Sequence, residues 1–598
     1  MSHLGNTHSS LNVNSLRDLA RKELTNVLDS VRGKKCLVLD PNISGPLSLI
    51  AGFSLLKEHG VEKVHYLQQG PLETELKSLI YICRPQLNYM KYIAEHIAHH
   101  QKDVVSNYEY NLFFVPRRTM ICERVLEEAG ITIGEYHLDL IPFEDDLLSL
   151  ELDNTFKELY LDGDYTSIYY AARALMKLQT KFGLIPRVIG KGDCAKHLAD
   201  MLLRMRKEVA VDDPSSTLSV SQNVDSLIIL DRSVDLISPL CTQLTYEGLI
   251  DEVDRLFVQL RDMNFAVVGG VLNRVARRIN ENYEERHQAK TVMQIREFIN
   301  KLGGLQSEHQ SLRTHTGIAE EIMAYTVTPE FNKALEVQQN LVAGIEINLQ
   351  NEHIEEMINR QVPILQVLRL LCLLSLVNGG LKQKSLEFFK KEILQTYGFE
   401  HLQTLLNLER LNMFVKQGSA SSKFNYVRKH LQLIVDEVDE QSPQDISYVY
   451  SGYAPLSVRL IQCVTKGGLT PISNPVGANA AANPIGTGGA AKGIVGWKGH
   501  EEALKMLPGK TFDEVQKLDD GAIHSKKFAQ GQQPRVTLIF FLGGCTYTEI
   551  SAIRFMAQQD EGQREYVIAT TQIVNGNSLL SSVMQKMDNL GHSAGGNF

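Results

Sequence analysis

Apolar positions fall into short runs separated by helix-period stripes over the first 250 residues, into long helix-period stripes over the next 200, and back into short runs at the end. In the N-terminal part, Cys36 to Leu39, Val61 to Leu67, Ser78 to Cys83 and Asn111 to Val115 read as strands. Leu47 to His59, Leu87 to His99 and Arg118 to Ala129 read as helices between them, and an extended piece follows near Tyr136. Strands alternating with helices imply parallel strands joined by crossover helices. A second α/β unit follows Ile141, with a helix over Tyr165 to Phe182, a strand over Pro186 to Ile189 and a helix over Cys194 to Arg206. Leu227 to Leu230 is an apolar run of the kind buried on both faces of a parallel sheet.

The block from Leu249 to Val464 reads as all helical. Phe265, Val268, Leu272, Val275 and Ile279 form one stripe, and Val292, Ile295, Phe298, Ile299 and Leu302 a second, as in a helical hairpin. Further helices are expected over Phe331 to Ile345, Ile364 to Val377, Ser385 to Tyr397, Leu402 to Phe414 and Tyr426 to Val438. Thr465 to Gly493, rich in Gly, Ala, Asn and Pro, reads as a flexible loop. Strand patterns then return at Val536 to Leu542 and Tyr566 to Ala569, with helices over Tyr547 to Gln558 and Ser578 to Leu590. Two strands and two helices are too few for a domain of their own, so they are expected to complete the sheet that Leu227 begins. The predicted fold class is therefore α/β with an all-helical insertion, divided as residues 1–140, 141–248, 249–464, 465–493 and 494–598.

Composition narrows the chemistry. A net charge of −9 without a basic stripe argues against a general nucleic-acid binder. The eight cysteines are scattered singly with no CxxC, which predicts neither a disulfide framework nor a structural zinc. Ile364 to Val377 is interrupted by Gln366 and Arg369 and is shorter than the roughly 20 residues of a membrane span, so it reads as a core helix. No signal-like run opens the chain, so any membrane role is expected to be peripheral.

Four turns invite a catalytic or nucleotide-binding interpretation. Asp231 and Asp235 follow the Leu227 strand in LIILDRSVDLISPL, with Ser238-Pro239 expected to stop regular structure. A hydrolase would use two such carboxylates, but phosphatases that place aspartates after a strand space them by two, whereas these are four apart with Arg232 between. Capping of the turn, with neutralisation by Arg232, is favoured. Gly543-Gly544-Cys545 offers a nucleotide turn or a thiol at a helix start, yet no third glycine follows and no partner histidine is evident. Gly190-Lys191-Gly192-Asp193 lacks the Ser or Thr of a phosphate loop, and the turn after the first strand, Asp40 to Pro46, has one glycine and two prolines. No cofactor or metal is expected, and a hydrolase using the Asp231 turn or the Gly543-Gly544-Cys545 turn stays as the alternative.

Several long segments, LIILDRSVDLISPL with QLTYEGLIDE, RVTLIFFLGGCTYTEISAIRF with EYVIATT, LIPRVIGKGD, EILQTYGFEH and DISYVYSGYAPLSVRL, together resemble the SM (Sec one/Munc eighteen) family of SNARE regulators. The likeness is strongest to the A-type members of its vacuolar protein sorting thirty-three branch. It implies a three-domain arch whose second domain is split by a helical third, and a non-enzymatic role. Family members bind SNARE helices within the HOPS tether, and in some cases CORVET, at late endosomes, autophagosomes and lysosomes or vacuoles. The implied SNARE groove lies on the hairpin from Val275 to Ile318, with Met293, Arg296, Asn300, His309, Leu312 and Arg313 as contacts. Subunit sixteen of the tether is expected on the later helices, at Phe424 and Val427. Two departures stand out: a short connection between Asp251 and Arg261, and the added loop Thr465 to Gly493.

Overall fold

The computed structural model describes residues 11–101, 108–127, 129–212, 218–251, 272–274, 276–277, 309–310, 312–419, 423–466, 494–516, 535–560 and 563–585. They form two compact units, one of residues 1–152 with 173–182 and 567–570, the other of 153–172, 183–566 and 571–598. Both sequence departures, after Asp251 and between 467 and 493, lie outside the described residues.

The first unit opens on a helix the sequence pattern did not announce, α1 (Asn14–Asp29), whose apolar positions are widely spaced among charges. A five-stranded parallel sheet follows, built from β1 (Lys35–Leu39), β2 (Val61–Tyr66), β3 (Ser78–Cys83), β4 (Glu109–Phe114) and β5 (Thr132–Glu135) in the order β2-β1-β3-β4-β5. Its crossovers are α2 (Pro41–Ile50), α3 (Phe53–Glu58), α4 (Leu87–His100) and α5 (Met120–Val125). Two apolar clusters cover the two faces, one around Leu37, Leu39 and Ile80, the other around Val38, Leu79 and Met90. The Asp40 to Pro46 stretch is helical rather than a loop. Asp40 caps it by accepting from the Asn42 amide at 3.0 Å, and Pro41 sits at the first helical position, where its fixed φ is an advantage. The expected Leu47 to His59 helix is broken at Ala51-Gly52, and the Arg118 to Ala129 helix shortens to α5. The unit also holds β6 (Ile141–Pro142) and β7 (Leu147–Ser149), with β7 pairing in parallel to residues 568–570.

In the second unit, a short turn α6 (Thr155–Lys157) leads by way of a π-helical turn, Glu158–Asp162, toward α7 (Thr166–Phe182), whose residues from 173 onward belong to the first unit. Strand β8 (Arg187–Lys191) and helix α8 (Asp193–Asp212) precede β9 (Val224–Asp231). Strand β11 (Arg535–Leu542) pairs in parallel with β9 from Ser226↔Thr537 to Asp231↔Leu542, as the interrupted-sheet expectation requires. Strand β10 (Thr511–Val515), which the pattern did not reveal, runs antiparallel beside β8. After β9 come the one-turn helix α9 (Ile237–Leu240), which contains Ser238-Pro239 instead of stopping before it, and α10 (Tyr246–Asp251).

The helical insertion contains helical residues 312–326 and then α11 (Pro329–Ala343), α12 (Ile347–Asn359), α13 (Ile364–Val377), α14 (Gln383–Tyr397), α15 (Leu402–Arg410), α16 (Phe424–His430) and α17 (Leu456–Lys466). Helices α12 and α17 are additional to those expected, and the last two expected helices end early, at Arg410 and His430. Helix α13 is buried along almost its whole length, as its all-round apolar pattern predicts. The unit continues with α18 (Glu501–Lys505), then α19 (Tyr547–Gln559) after β11, the first residues of strand β12 (Arg564–Thr570), whose residues 567–570 belong to the first unit, and α20 (Gly576–Val583).

Candidate functional site

Strand β9 ends in Asp231 because the chain must turn there and a carboxylate satisfies the amides the turn leaves free. Its Oδ1 accepts from the Ser233 amide at 3.0 Å, the Ser233 hydroxyl at 2.8 Å and the Tyr160 hydroxyl at 2.5 Å. Its Oδ2 accepts from the Cys194 amide at 2.9 Å, capping the 20-residue helix α8 from the strand beside β8. Asp235 caps the next turn: Oδ1 accepts from the amides of Ile237 and Ser238 at 3.2 and 3.0 Å, and Oδ2 from the Ser238 hydroxyl at 2.5 Å and the Ser457 amide at 2.9 Å. Both carboxylates are buried and occupied on both oxygens. Both cap turns, with every one of their four oxygens accepting at least one hydrogen bond from the surrounding backbone and side chains.

Arg232 does not pair with Asp231. Its guanidinium grips Glu549 on α19 with two hydrogen bonds, Nη1 to Oε2 at 2.8 Å and Nη2 to Oε1 at 3.0 Å, while Asp235 Oδ2 stands 3.6 Å away. Arg232 Nε donates to the Asp235 carbonyl at 2.8 Å and Nη1 to the Gly544 carbonyl at 3.3 Å. Glu549 also accepts from the Thr546 amide and hydroxyl at 2.9 and 3.1 Å, closing a capping box, and from the Ser457 hydroxyl. The pair is fully buried. Burial alone would push the Glu549 carboxyl up, but Arg232, Ser457 and the Thr546 amide outweigh it and hold the group below the ordinary carboxylate range. Burial likewise opposes the charge on Arg232, and Glu549 and Asp235 overcome it.

The glycine turns belong to the same construction. Gly192, at φ +119°, lies so close to the Asp231 turn, the keystone of this construction, that a Cβ there would fall 2.0 Å from Asp231 Cβ. Gly543, at φ +94°, faces Arg232 and Tyr160 in the same way, with 2.8 and 2.9 Å to a built Cβ. These glycines permit a close backbone approach to side chains, where a phosphate loop would leave room for a ligand. Lys191 is buried and donates to the Gly509 carbonyl at 2.5 Å, with its ammonium pushed down to about 8 by burial. The Cys545 thiol, at a helix start that would lower a thiol's pKa, is pushed well above its ordinary value, first by burial and then by Glu549.

The first unit repeats the device. In doubly wound sheets with this strand order a ligand sits at the carboxyl ends of β1 and β3, where the order reverses. Here Asp40 at the end of β1 receives Arg84 Nε at 2.7 Å, Arg84 Nη2 at 3.2 Å and the Tyr89 hydroxyl at 2.9 Å. An ion pair fills the crevice that a nucleotide would use.

The helical insertion is joined to the keystone by buried polar contacts. Arg369 on α13 donates to the Leu240 and Cys241 carbonyls at 2.6 and 2.8 Å, satisfying the end of α9. Gln338 on α11 accepts from the Thr242 amide at 2.8 Å, and Gln243 accepts from the Thr548 amide and hydroxyl at 3.0 and 2.9 Å. Arg554 on α19 lies 3.5 Å from Glu247 on α10. Helical residues 312–326 are anchored where Tyr246, Leu249 and Ile322 form an apolar cluster with Leu272, Ile318 and Phe331, and the Tyr246 hydroxyl lies 3.2 Å from His315 Nδ1.

Of the expected SNARE contacts, Met293, Arg296 and Asn300 lie outside the described residues. His309 and Arg313 are exposed and Leu312 is half-buried on the helical stretch that His315 anchors. Phe424 and Val427 are a correction: their spacing of three puts them on one face of α16, and that face is turned into the core, where both are buried. What α16 exposes is Asn425, Tyr426, Lys429 and His430. Sequence reasoning did not select Tyr160, Ser457 or Glu549. The Thr546-x-x-Glu549 spacing is a legible capping box, but nothing local points across 317 residues to Arg232.

The Sec1 family model matches residues 35–582. This chain belongs to the Sec1 family. Among its relatives, vacuolar protein sorting-associated protein 33A of Rattus norvegicus is 41% identical, with 97% of this chain and 99% of the rat protein covered. The vacuolar protein-sorting-associated protein 33 homolog of Arabidopsis thaliana is 36% identical over 96% and 98%, and protein 33B of Danio rerio 30% over 96% and 97%. Among solved structures, the Unc18–syntaxin 1 complex from Monosiga brevicollis shares the fold at a TM-score of 0.54 and 17% identity, covering 95% of this chain and 99% of that one. The SM protein Vps45 in complex with the Qa SNARE Tlg2 does so at 0.53 and 15%, covering 95% and 97%. Among the described residues, no helix is long and apolar enough to cross a membrane.

Proposed function

We propose that this chain is a SNARE-binding protein of vacuolar sorting that templates SNARE assembly as a subunit of the HOPS tether and its CORVET counterpart, peripheral on late endosomal and lysosomal or vacuolar membranes. The observation that carries this reading is the near-complete coverage of vacuolar protein sorting-associated proteins at up to 41% identity. SNARE binding is supported by two solved structures of the same fold, the Unc18–syntaxin 1 complex and the complex of Vps45 with the Qa SNARE Tlg2. The A-type assignment and the three-domain division with residues 249–464 as the inserted arm belong to the same proposal.

The physical task is to reduce a nucleation cost. Isolated SNARE segments must lose backbone entropy before they zipper, and a groove that holds two helices in register supplies that ordering beforehand. The arm's role requires a fixed base, which the buried Arg232–Glu549 pair, Arg369 and the Tyr246 cluster supply. We assign the SNARE contact to the arm, with Met293, Arg296, Asn300, His309, Leu312 and Arg313 in a helix-in-groove mode. Subunit sixteen of the tether is assigned to the later helices, and on α16 its contacts are the exposed Tyr426 and Lys429.

The test is binding of a fluorescent Qa-SNARE core helix to the full chain, alone and with the tether partner. Saturable binding is expected, with Arg313→Glu weakening it about fivefold, the size of a rim charge. Undetectable binding in both settings would overturn the reading. Saturable nucleotide turnover by the full chain, abolished by Asp231→Ala in a variant that keeps the wild-type fluorescence of the fold, would sink SNARE templating as the complete account.

A further inference from the structure

We infer that Ser442 is a phosphorylation site for a proline-directed kinase, and that phosphate there loosens the clamp by which Asp445 and Arg459 hold the 3-10 turn Ile446–Tyr450. Three Ser-Pro or Thr-Pro pairs fall within the described residues, and the structure separates them. Ser238 before Pro239 is fully buried, with its hydroxyl on Asp235. Thr328 before Pro329 is the N-cap of α11, its hydroxyl donating to the Tyr325 carbonyl at 2.8 Å and accepting from the Phe331 amide at 3.3 Å. Ser442 before Pro443 is exposed, in an irregular stretch between α16 and the 3-10 turn. A kinase must draw its target serine and the following proline into an extended conformation, and the residue before a proline is already biased to that region.

The setting gives the modification a consequence. Residues 436–445 carry Asp436, Glu437, Asp439, Glu440 and Asp445 with no lysine or arginine. Asp439 Oδ1 accepts from the amides of Gln441 and Ser442 at 2.9 and 3.2 Å, so a phosphate on Ser442 adds charge beside a carboxylate that shapes its own turn. Three residues on, Asp445 receives Arg459 Nη1 at 2.7 Å and Nη2 at 3.0 Å and caps the 3-10 turn through the Ser447 amide at 2.9 Å. A phosphate within about 11 Å along the chain repels Asp445 and competes for Arg459. The 3-10 turn carries Tyr450, whose hydroxyl donates to the Ser238 carbonyl at 2.7 Å, so the segment reaches the Asp235 turn.

In the reaction, Ser442 Oγ attacks the γ-phosphorus of MgATP, the bond to the β,γ-bridging oxygen breaks and ADP leaves. The serine proton passes to the kinase's aspartate. The full chain is incubated with a cyclin-dependent kinase and MgATP, and phosphate is mapped by mass spectrometry. Phosphate is expected on Ser442, lost in Ser442→Ala and sharply reduced in Pro443→Ala, with Ser238 and Thr328 unmodified. An unmodified Ser442, or undiminished modification of Pro443→Ala, would overturn the site. Hydrogen exchange on the modified chain tests the consequence: amides of Ser447 to Tyr450 are expected to exchange about tenfold faster, the equivalent of one charged hydrogen bond. Unchanged exchange at full phosphorylation would overturn the coupling to the clamp.

Discussion

Removal of Glu549 tests the keystone most directly. Glu549→Ala deletes two charged hydrogen bonds from Arg232, two from Thr546 and one from Ser457, and leaves a fully buried guanidinium with Asp235 at 3.6 Å as its nearest carboxylate. Breaking a buried ion pair from one side costs about 3–5 kcal/mol. Glu549→Gln keeps the volume and an acceptor for Thr546, so its cost falls nearer 2–3 kcal/mol, roughly that of the charged bonds alone. Arg232→Met/Glu549→Leu removes both charges, and the double variant is expected to cost at least about 2 kcal/mol less than the sum of the two single changes. The chain's single tryptophan, Trp497, is buried in this unit with Nε1 donating to the Phe512 carbonyl at 3.2 Å, so its fluorescence during denaturant unfolding reports on the unit concerned. The folded Glu549 carboxyl lies below its unfolded value of 4.5, so its contribution is present above about pH 4.5 and is lost as the pH falls through the lower folded value. Glu549→Gln should therefore flatten the acid limb of the stability profile. A Glu549→Ala midpoint within the equivalent of about 0.5 kcal/mol of wild type, or single costs that simply add, would refute the keystone argument.

Two further substitutions probe the same construction. Gly192→Ala forces a Cβ against Asp231 at a positive φ and should destabilise the second unit by on the order of 3 kcal/mol, read by the same fluorescence midpoint; an unchanged midpoint would show that the turn can move aside. Arg369→Met keeps the stem of the side chain but leaves the Leu240 and Cys241 carbonyls unpaired, for an expected loss of about 2–3 kcal/mol and faster amide exchange in α9 and α10; protection equal to wild type would contradict the role assigned to Arg369.

Much of the fold was legible where local and global preferences coincide. Ser78 to Cys83 and Ile364 to Val377 match their strand and helix to the residue, because a fully buried element is apolar along its length. The return of the chain to the β9 sheet at Val536 was deducible because two strands cannot form a core alone. Elements with weaker patterning escaped: α1 buries only Leu16, Leu24 and Leu28, and β10 is an edge strand with one buried residue. Prolines misled twice, at Pro41 and at Pro239, since a proline in the first turn of a helix loses no hydrogen bond. The role of Asp231 and Asp235 as turn caps was readable from their spacing. The partner of Arg232 was not, because the pairing is set by the meeting of β9 and α19 across the sheet. Phe424 and Val427 show the limit of spacing alone: residues three apart share a helix face, but the sequence does not say whether that face is turned in or out.

The central claim is that this chain shortens the search by which SNARE helices find their register. The measurement that meets it is the assembly time course of fluorescently labelled cognate SNARE segments with and without the chain held in its tether complex. The account predicts assembly at least about tenfold faster with the chain, as expected when ordering worth one charged contact is supplied in advance, with the gain reduced by Arg313→Glu. SNARE segments that bind the chain yet assemble no faster, or more slowly, would contradict it.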